Sequence, residues 1–193
     1  MSTKSQILSS LKNSIKERFP MPDIQIDATT YADPLAQFIS MTQSVGGKVV
    51  ELQAGDDINQ LIRSLYPDAK EIASSLPEIT IATRNPDTTP TAQSLNGTDV
   101  GIVRGEFGVA ENACVWIPQT MKERAVCFIS ENLVILLPKA AIVNNMHEAY
   151  RRISFNDLGY GTFISGPSKT ADIAQVLVMG AQAARTLTVI LIP

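Results

Sequence analysis

The sequence predicts an α/β fold with an open, mostly parallel sheet and flanking helices. Apolar, β-like runs alternate with helical segments along the chain, which is typical of such sheets. Two of these runs, ENLVILLP at 131–138 and LTVILI at 187–192, are almost wholly apolar, as parallel strands covered on both faces are. Because the chain has 193 residues, we expect a single domain over residues 1–193.

The chain begins with an amphipathic pattern, and an irregular connector follows it. Apolar residues recur at helical spacing at Ile7, Leu8, Leu11, Ile15 and Phe19. This pattern predicts an N-terminal helix within residues 1–19 whose apolar face needs a partner. Residues 20–34 carry three prolines and a cluster of turn formers, so they are predicted to connect this helix to the body of the domain.

Local signals then predict helices and strands in alternation. The first three elements are a helix that begins at Asp33–Pro34 and ends before Gly46, the strand KVVEL at 48–52, and a short helix capped by Asp56 and Asp57 that ends at Leu65. The later ones are a strand within 69–83, a long loop at 84–98, strands at 99–105, 112–118 and 131–138, and a helix from Lys139 to Arg152.

The C-terminal part suggests a strand–helix–strand unit with a candidate ligand site. GTFIS at 161–165, a helix from Ser168 to Gly180 and LTVILI would form a unit whose two apolar strands are parallel and buried. In such sheets ligands bind beyond the carboxyl ends of strands, where the next helix offers free N–H groups. Candidate contacts there are Ser165, Gly166, Ser168, Thr170 and, one turn further on, Asp172. The alternative is an ordinary helix start, since Ser, Gly and Pro begin many helices.

A second candidate site is the stretch RGEFGVAENACVWIP, at 104–118. Glu106 and Glu111 bracket a glycine turn between two predicted strands, and a carboxylate there can act as base, nucleophile or ligand holder. The alternative is a hairpin with two solvated acids. Cys114 lies in the second strand, so we expect a buried, unreactive thiol.

Composition argues against several kinds of protein. The net charge is −3 and the basic residues are scattered, which argues against a nucleic-acid partner. No apolar run reaches the ~18 residues of a membrane span, and the N-terminus lacks the apolar core of a signal peptide, so a cytoplasmic location is expected. The two cysteines, Cys114 and Cys127, and the single His147 are too few for an iron–sulfur cluster or a typical zinc site.

Three ordered blocks resemble the lactate-utilization (LUD) domain family, which includes lactate-utilization protein C. They are GIVRGEFGVAENACVWIP, ENLVILLPKAAIVNNMHEAY and FISGPSKTADIAQVLVMGAQAARTLTVILI, and Ser165–Ile173 is the most specific segment. The resemblance implies a fold similar to the ribose-phosphate isomerase and CoA-transferase group. It also implies a role in oxidising L-lactate to pyruvate, with iron–sulfur clusters carried by partner proteins and no cofactor in this chain.

The chain departs from the family pattern at two places. Relatives commonly have Ala-Glu-Thr-Gly-Thr where this chain has residues 110–114, so Glu111 is retained while Asn112, Ala113 and Cys114 differ. Relatives often show Gly-Val-His-Gly-Pro-Arg where this chain has Gly180-Ala181-Gln182-Ala183-Ala184-Arg185. Any chemical role that the replaced residues have in relatives is therefore not expected in this chain.

Three functional hypotheses follow. The first is a subunit of a lactate-utilization system that binds a small anionic ligand or a partner protein. Its cleft would be lined by Glu111, Ser165, Gly166, Ser168, Thr170 and Asp172, with Arg104 as the partner of a carboxylate. The second is an independent enzyme of the sugar-phosphate isomerase or CoA-transferase kind that uses Glu111 or Glu106. The third is an adaptor that docks or dimerises through the N-terminal helix.

Overall fold

The computed structural model of the chain describes residues 3–15, 19–20, 22, 26–154, 159–171 and 176–193. Its helices are α1 (Thr3–Ser14), α2 (Pro34–Ser44), α3 (Ile58–Leu65), α4 (Val126–Ile129) and α5 (Met146–Arg152), with a short 3-10 helix at Ala92–Leu95. Its strands are β1 (Lys48–Glu51), β2 (Ile72–Ala73), β3 (Val100–Arg104), β4 (Phe107–Val109), β5 (Val115–Pro118), β6 (Asn132–Pro138), β7 (Ile142–Val143), β8 (Gly161–Ile164), β9 (Lys169–Thr170), β10 (Val178–Met179) and β11 (Thr186–Ile192). None of the helices described is long and apolar enough to cross a membrane.

The centre of the molecule is a five-stranded sheet in the order β1-β11-β6-β3-β2, and every pairing in it is parallel. This confirms the predicted α/β fold with a mostly parallel sheet. Alternate side chains of β6 enter two cores: Leu133, Ile135 and Leu137 on one face, Val134 and Leu136 on the other. The sheet is covered on both faces, which explains why its central strands are so apolar.

Two predicted helix starts are confirmed together with their caps. The side chain of Asp33 accepts a hydrogen bond from the N–H of Ala36 at 2.9 Å, and Pro34 occupies the first turn of α2. The side chain of Asp57 accepts one from the N–H of Asn59 at 2.8 Å at the start of α3. These caps are local interactions, so the sequence carries the whole signal for them.

A second sheet, in the order β7-β4-β5-β8, packs beside the first. An aromatic cluster stabilises it: the ring centroids of Trp116 and Phe163 lie 4.9 Å apart, and Phe107 stacks on Trp116 at 6.5 Å. Gly161 makes this packing possible, because a Cβ there would lie 2.2 Å from the Trp116 ring.

The predicted strand–helix–strand unit is wrong in its topology. The GTFIS strand, β8, pairs antiparallel with β5 in the second sheet, whereas β11 lies in the central sheet between β1 and β6. All four residues of β8 are half-buried, while β11 has five fully buried residues in succession. The aromatic cluster around Phe163 holds β8 at the edge of the second sheet and separates it from β11.

The helix predicted from Ser168 to Gly180 is also wrong for its described residues, and its middle, 172–175, lies outside them. Lys169 and Thr170 pair with Met179 and Val178 as an antiparallel two-residue ladder. Gly180 has a φ of +77°, a left-handed value that ends the second strand of this ladder. The apolar spacing of the segment therefore does not correspond to a helix in these residues.

The helix predicted from Lys139 begins later, at Met146. Ile142 and Val143 form β7 and pair with Gly108 and Val109 of β4. Asn145 then caps α5 by accepting a hydrogen bond from the N–H of Glu148 at 3.0 Å. The same region corrects the predicted hairpin, because β4 intervenes between β3 and β5, and those two strands belong to different sheets.

Candidate ligand-binding groove

The carboxyl ends of the central strands are occupied by ion pairs. Arg104, the last residue of β3, forms an ion pair with Glu78, and Lys139 after β6 forms one with Glu51 at 2.8 Å. Arg104 lines neither the cavity that contains the Ser165–Lys169 segment nor the cavity next to it. The structure therefore does not bring Arg104 together with the other predicted contacts.

Glu111 lies in the turn between β4 and β5 and contacts the start of α5. Its carboxylate accepts a hydrogen bond from the N–H of Met146 at 3.0 Å, and its own N–H donates to the main-chain oxygen of Asn144 at 3.0 Å. An acidic group is favourable at the start of a helix, so this contact supports a structural role. Glu106, the other predicted carboxylate, is exposed at the start of β4.

Ser165 connects the β4–β5 turn to the segment that follows β8. Its Oγ donates a hydrogen bond to the main-chain oxygen of Asn112 at 2.7 Å. Burial raises the pKa of the Cys114 thiol; a hydrogen bond with Ser165 works in the opposite direction, and the charge of Glu111 adds to the increase. Cys114 is therefore a neutral, half-buried thiol, in line with the prediction that it is unreactive.

Gly166 and Lys169 hold the segment 165–169 against Val45 at the end of α2. Gly166 has a φ of +65°, and a Cβ there would lie 2.9 Å from the main-chain oxygen of Val45. The Nζ of Lys169 donates a hydrogen bond to that same oxygen at 2.6 Å. The two contacts hold the segment against the residues that lead into β1, at the amino edge of the central sheet.

Main-chain hydrogen bonds join the two segments that resemble family motifs. The N–H of Ser168 donates to the oxygen of Ala184 at 2.9 Å, and the N–H of Gly180 donates to the oxygen of Ser168 at 2.9 Å. Thr170 is paired with Val178 in the β9–β10 ladder. No helix begins at Ser168, so this segment does not offer the free N–H groups of a helix start that were predicted to hold an anion. Asp172 lies outside the described residues.

Two adjacent cavities open along the amino ends of the central strands, which we call the amino edge of the sheet. Together the two cavities form the amino-edge groove. The smaller, about 370 Å³, is lined by Cys127, Phe128, Leu133, Phe163, Ile164, Ser165, Gly166, Pro167, Ser168, Lys169, Gln182, Ala183, Ala184 and Leu187. The larger, about 770 Å³, is lined by Asn96, Gly97, Thr98, Asp99, Ala125, Phe128, Ile129, Ser130, Glu131, Gly180, Ala181, Gln182, Ala183 and Arg185. Phe128, Gln182 and Ala183 line both, so the cavities share a wall.

The two cavities differ in charge. Among the described residues that line the smaller one, Lys169 is charged and none is a carboxylate. The larger one has two carboxylates, Asp99 and Glu131, and one cation, Arg185, whose guanidinium lies 3.7 Å from Glu131. The smaller cavity therefore suits a small anion, and the larger one suits a neutral or basic surface.

The sequence identified three residues of the smaller cavity, Ser165, Gly166 and Ser168, and missed Lys169, Phe128 and Gln182. Lys169 could have been found, since it lies inside the motif and is its only cation. Phe128 lies in the apolar run VCFIS, which favours burial, yet 37% of its surface is exposed. No local signal distinguishes it from its buried neighbour Cys127.

The fold and the groove define an α/β protein with a central parallel sheet and a binding groove at its amino edge. A family model described as the LUD domain matches residues 87–192, and the chain belongs to this family. The matched range includes all the groove-lining residues named above. A sequence search of curated proteins finds no match.

A solved structure has the same fold. It is a DUF162 family protein from Deinococcus radiodurans, which superposes with a TM-score of 0.65 at 16% sequence identity. The match covers 86% of this chain and 100% of the other. At this identity the similarity establishes the fold of this chain and says nothing about its ligand.

Proposed function

We propose that this protein is a lactate-utilization subunit that binds a small carboxylate in the smaller cavity and supports oxidation of L-lactate to pyruvate. The observation that carries the proposal is that the two family segments, 165–169 and 180–185, meet through main-chain hydrogen bonds and line one groove. Family membership supports the broader association with lactate utilization.

The smaller cavity has the chemistry that a hydroxy acid requires. Lys169 has three N–H donors, of which one is used by Val45, so it can also bind a carboxylate. Ser165 and Ser168 provide hydroxyl groups beside it, and Phe163 and Leu187 provide apolar surface for a methyl group. Such a mixture of apolar walls and a few polar groups is typical of small-molecule sites.

The reaction itself requires partners in this proposal. Oxidation of L-lactate to pyruvate removes two electrons and two protons from the hydroxyl-bearing carbon and its oxygen. We assign the electrons to iron–sulfur partner proteins and to this chain the binding of the carboxylate. The competing hypothesis of an isomerase or CoA-transferase has less support, because the carboxylate of Glu111 contacts Met146 and does not line the groove.

Titration of the purified chain with L-lactate by NMR or calorimetry tests the proposed site. We expect saturable binding, and at least tenfold weaker binding of L-lactamide, which has the same shape without the charge. Gln182→Trp should obstruct the groove and reduce L-lactate binding at least tenfold, whereas Gln60→Trp, on the exposed face of α3, should leave it unchanged. Equal binding of lactate and lactamide would contradict a carboxylate site.

Reconstitution tests the role in the system. The chain, with and without Gln182→Trp, is mixed with the candidate iron–sulfur proteins, and L-lactate-dependent reduction of a dye is measured. We expect reduction to depend on the wild-type chain and to fall at least tenfold with Gln182→Trp. Full activity without the chain would rule out the proposed function, even if lactate binds to it.

A further inference from the structure

Helix α1 is the most unusual surface of the described chain, because none of its residues is buried. Ile7, Leu8 and Leu11 lie on one face of this helix and are 48–59% exposed; Ile15, which continues their spacing, is 56% exposed. Amphipathic helices gain most of their stability from packing of the apolar face. Since no residue of α1 is buried against the described part of its own chain, its apolar stripe requires another surface.

Among the other exposed large apolar residues that the structure describes, one lines the amino-edge groove and three lie in the segment just before its lining residue Gly180. Phe128 lines both cavities, and Met179 precedes the lining residue Gly180 in the β9–β10 ladder. Val176 and Leu177, which lead into β10, are 61% and 60% exposed. The groove therefore has an exposed apolar rim of the kind that commonly marks an interaction site.

Charge indicates which surface fits α1. Residues 1–19 contain four basic residues and one acidic residue, a net charge of +3, while the whole chain has −3, so residues 20–193 carry −6. The larger cavity contributes Asp99 and Glu131, and a neighbouring cavity at the same edge of the sheet adds Asp68. Arg185 is the single cation that lines the larger cavity, so its described carboxylates exceed its cations and this cavity is complementary to a basic helix.

We infer that the chain forms a dimer in which α1 of each copy docks into the larger cavity of the other copy, with its apolar stripe against the rim. The helix is about 18 Å long, which suits a groove spanning several strands. A reciprocal exchange of this kind closes as a two-fold dimer and covers both exposed apolar surfaces. The smaller cavity, with Lys169, stays available to a small anion.

Light scattering and analytical ultracentrifugation of the full chain test this inference. We expect a dimer at micromolar concentration. Leu11→Asp on the stripe and Ala181→Trp in the larger cavity should each weaken dimerisation at least tenfold. The matched controls are Asn13→Asp on the opposite face of α1 and Ala140→Trp at the carboxyl edge of the central sheet, and both should dimerise like the wild type.

Photo-crosslinking from Leu11 in a mixture of isotope-labelled and unlabelled chains identifies the docked surface. The expected product joins α1 of one isotopic form to residues 176–185 of the other. A wild-type monomer, a dimer insensitive to both Leu11→Asp and Ala181→Trp, or crosslinks confined to one copy would each overturn the inference. Binding of α1 to anionic vesicles with no dimer in solution would overturn it as well.

Discussion

The Nζ of Lys169 donates a hydrogen bond to the main-chain oxygen of Val45 at 2.6 Å, joining residues 124 positions apart. Val45 follows the last turn of α2, where a cation is favourable. We expect Lys169→Met, which keeps most of the alkyl chain, to lower the free energy of unfolding by about 1 kcal/mol in urea denaturation. Lys48→Met, at an exposed position of β1, should change it much less, and an equal loss in both variants would contradict a specific contact.

Gly166 is predicted to be intolerant of any side chain. Gly166→Ala would combine a left-handed φ of +65° with a Cβ 2.9 Å from the oxygen of Val45, and should cost about 2–3 kcal/mol of unfolding free energy. Gly55→Ala is the matched control, since φ is +95° there but no atom lies within 4 Å of the new Cβ. Gly55→Ala should lower the free energy of unfolding by only about 1 kcal/mol. Thermal and urea unfolding compare the two, and equal losses would mean that the contact with Val45 contributes nothing.

Ala113 has a φ of +58° at the position where LUD relatives commonly have glycine. Ala113→Gly should relieve about 1–2 kcal/mol of backbone strain and lose about 1 kcal/mol of methyl burial, so the variant should be at least as stable as the wild type. Ala110→Gly, a buried alanine without a positive φ, has no strain to relieve and should lose about 1 kcal/mol or more. A clear loss of stability in Ala113→Gly would contradict the expected backbone strain at Ala113.

Burial raises the pKa of the Cys127 thiol to about 12. The unfolded thiol loses its proton near pH 9, whereas the folded thiol keeps it, so the stabilising contribution is complete below about pH 9 and is lost as the pH rises towards 12. We expect the titration of Cys127 to make the free energy of unfolding about 1 kcal/mol lower at pH 10 than at pH 8. Urea unfolding of Cys127→Ala measures this, because the variant should show that much less pH dependence. Identical slopes in both proteins would show that Cys127 does not titrate as described.

Local interactions could be read from the sequence, and long-range pairings could not. The caps at Asp33 and Asp57 and the apolar strands β6 and β11 depend on residues a few positions apart, and they are where the sequence predicts them. The partner of β8 depends on Trp116, 47 positions before Phe163, so apolar character alone could not distinguish the second sheet from the first.

The site was predicted in part for the same reason. Ser165, Gly166 and Ser168 were identified from the motif, but the prediction placed them at the start of a helix beyond a parallel strand. In the structure this segment contacts Val45, which is more than 100 positions away in the sequence, and Ala184, which lies in a segment where the family residues are replaced. The roles of Glu111 and Arg104 depended on this assumed topology, and both residues lie outside the lining of the groove.

The position of β11 between β1 and β6 affects how the protein can be made. β1 contains residues 48–51 and has β11, at residues 186–192, as its partner in the sheet. While the chain is being synthesised, β1 must wait for about 140 further residues to leave the ribosome before it can pair. Until then β1 and the edge of β6 that faces β11 are unpaired in the nascent chain, so this is the stage at which we expect a chaperone to matter most.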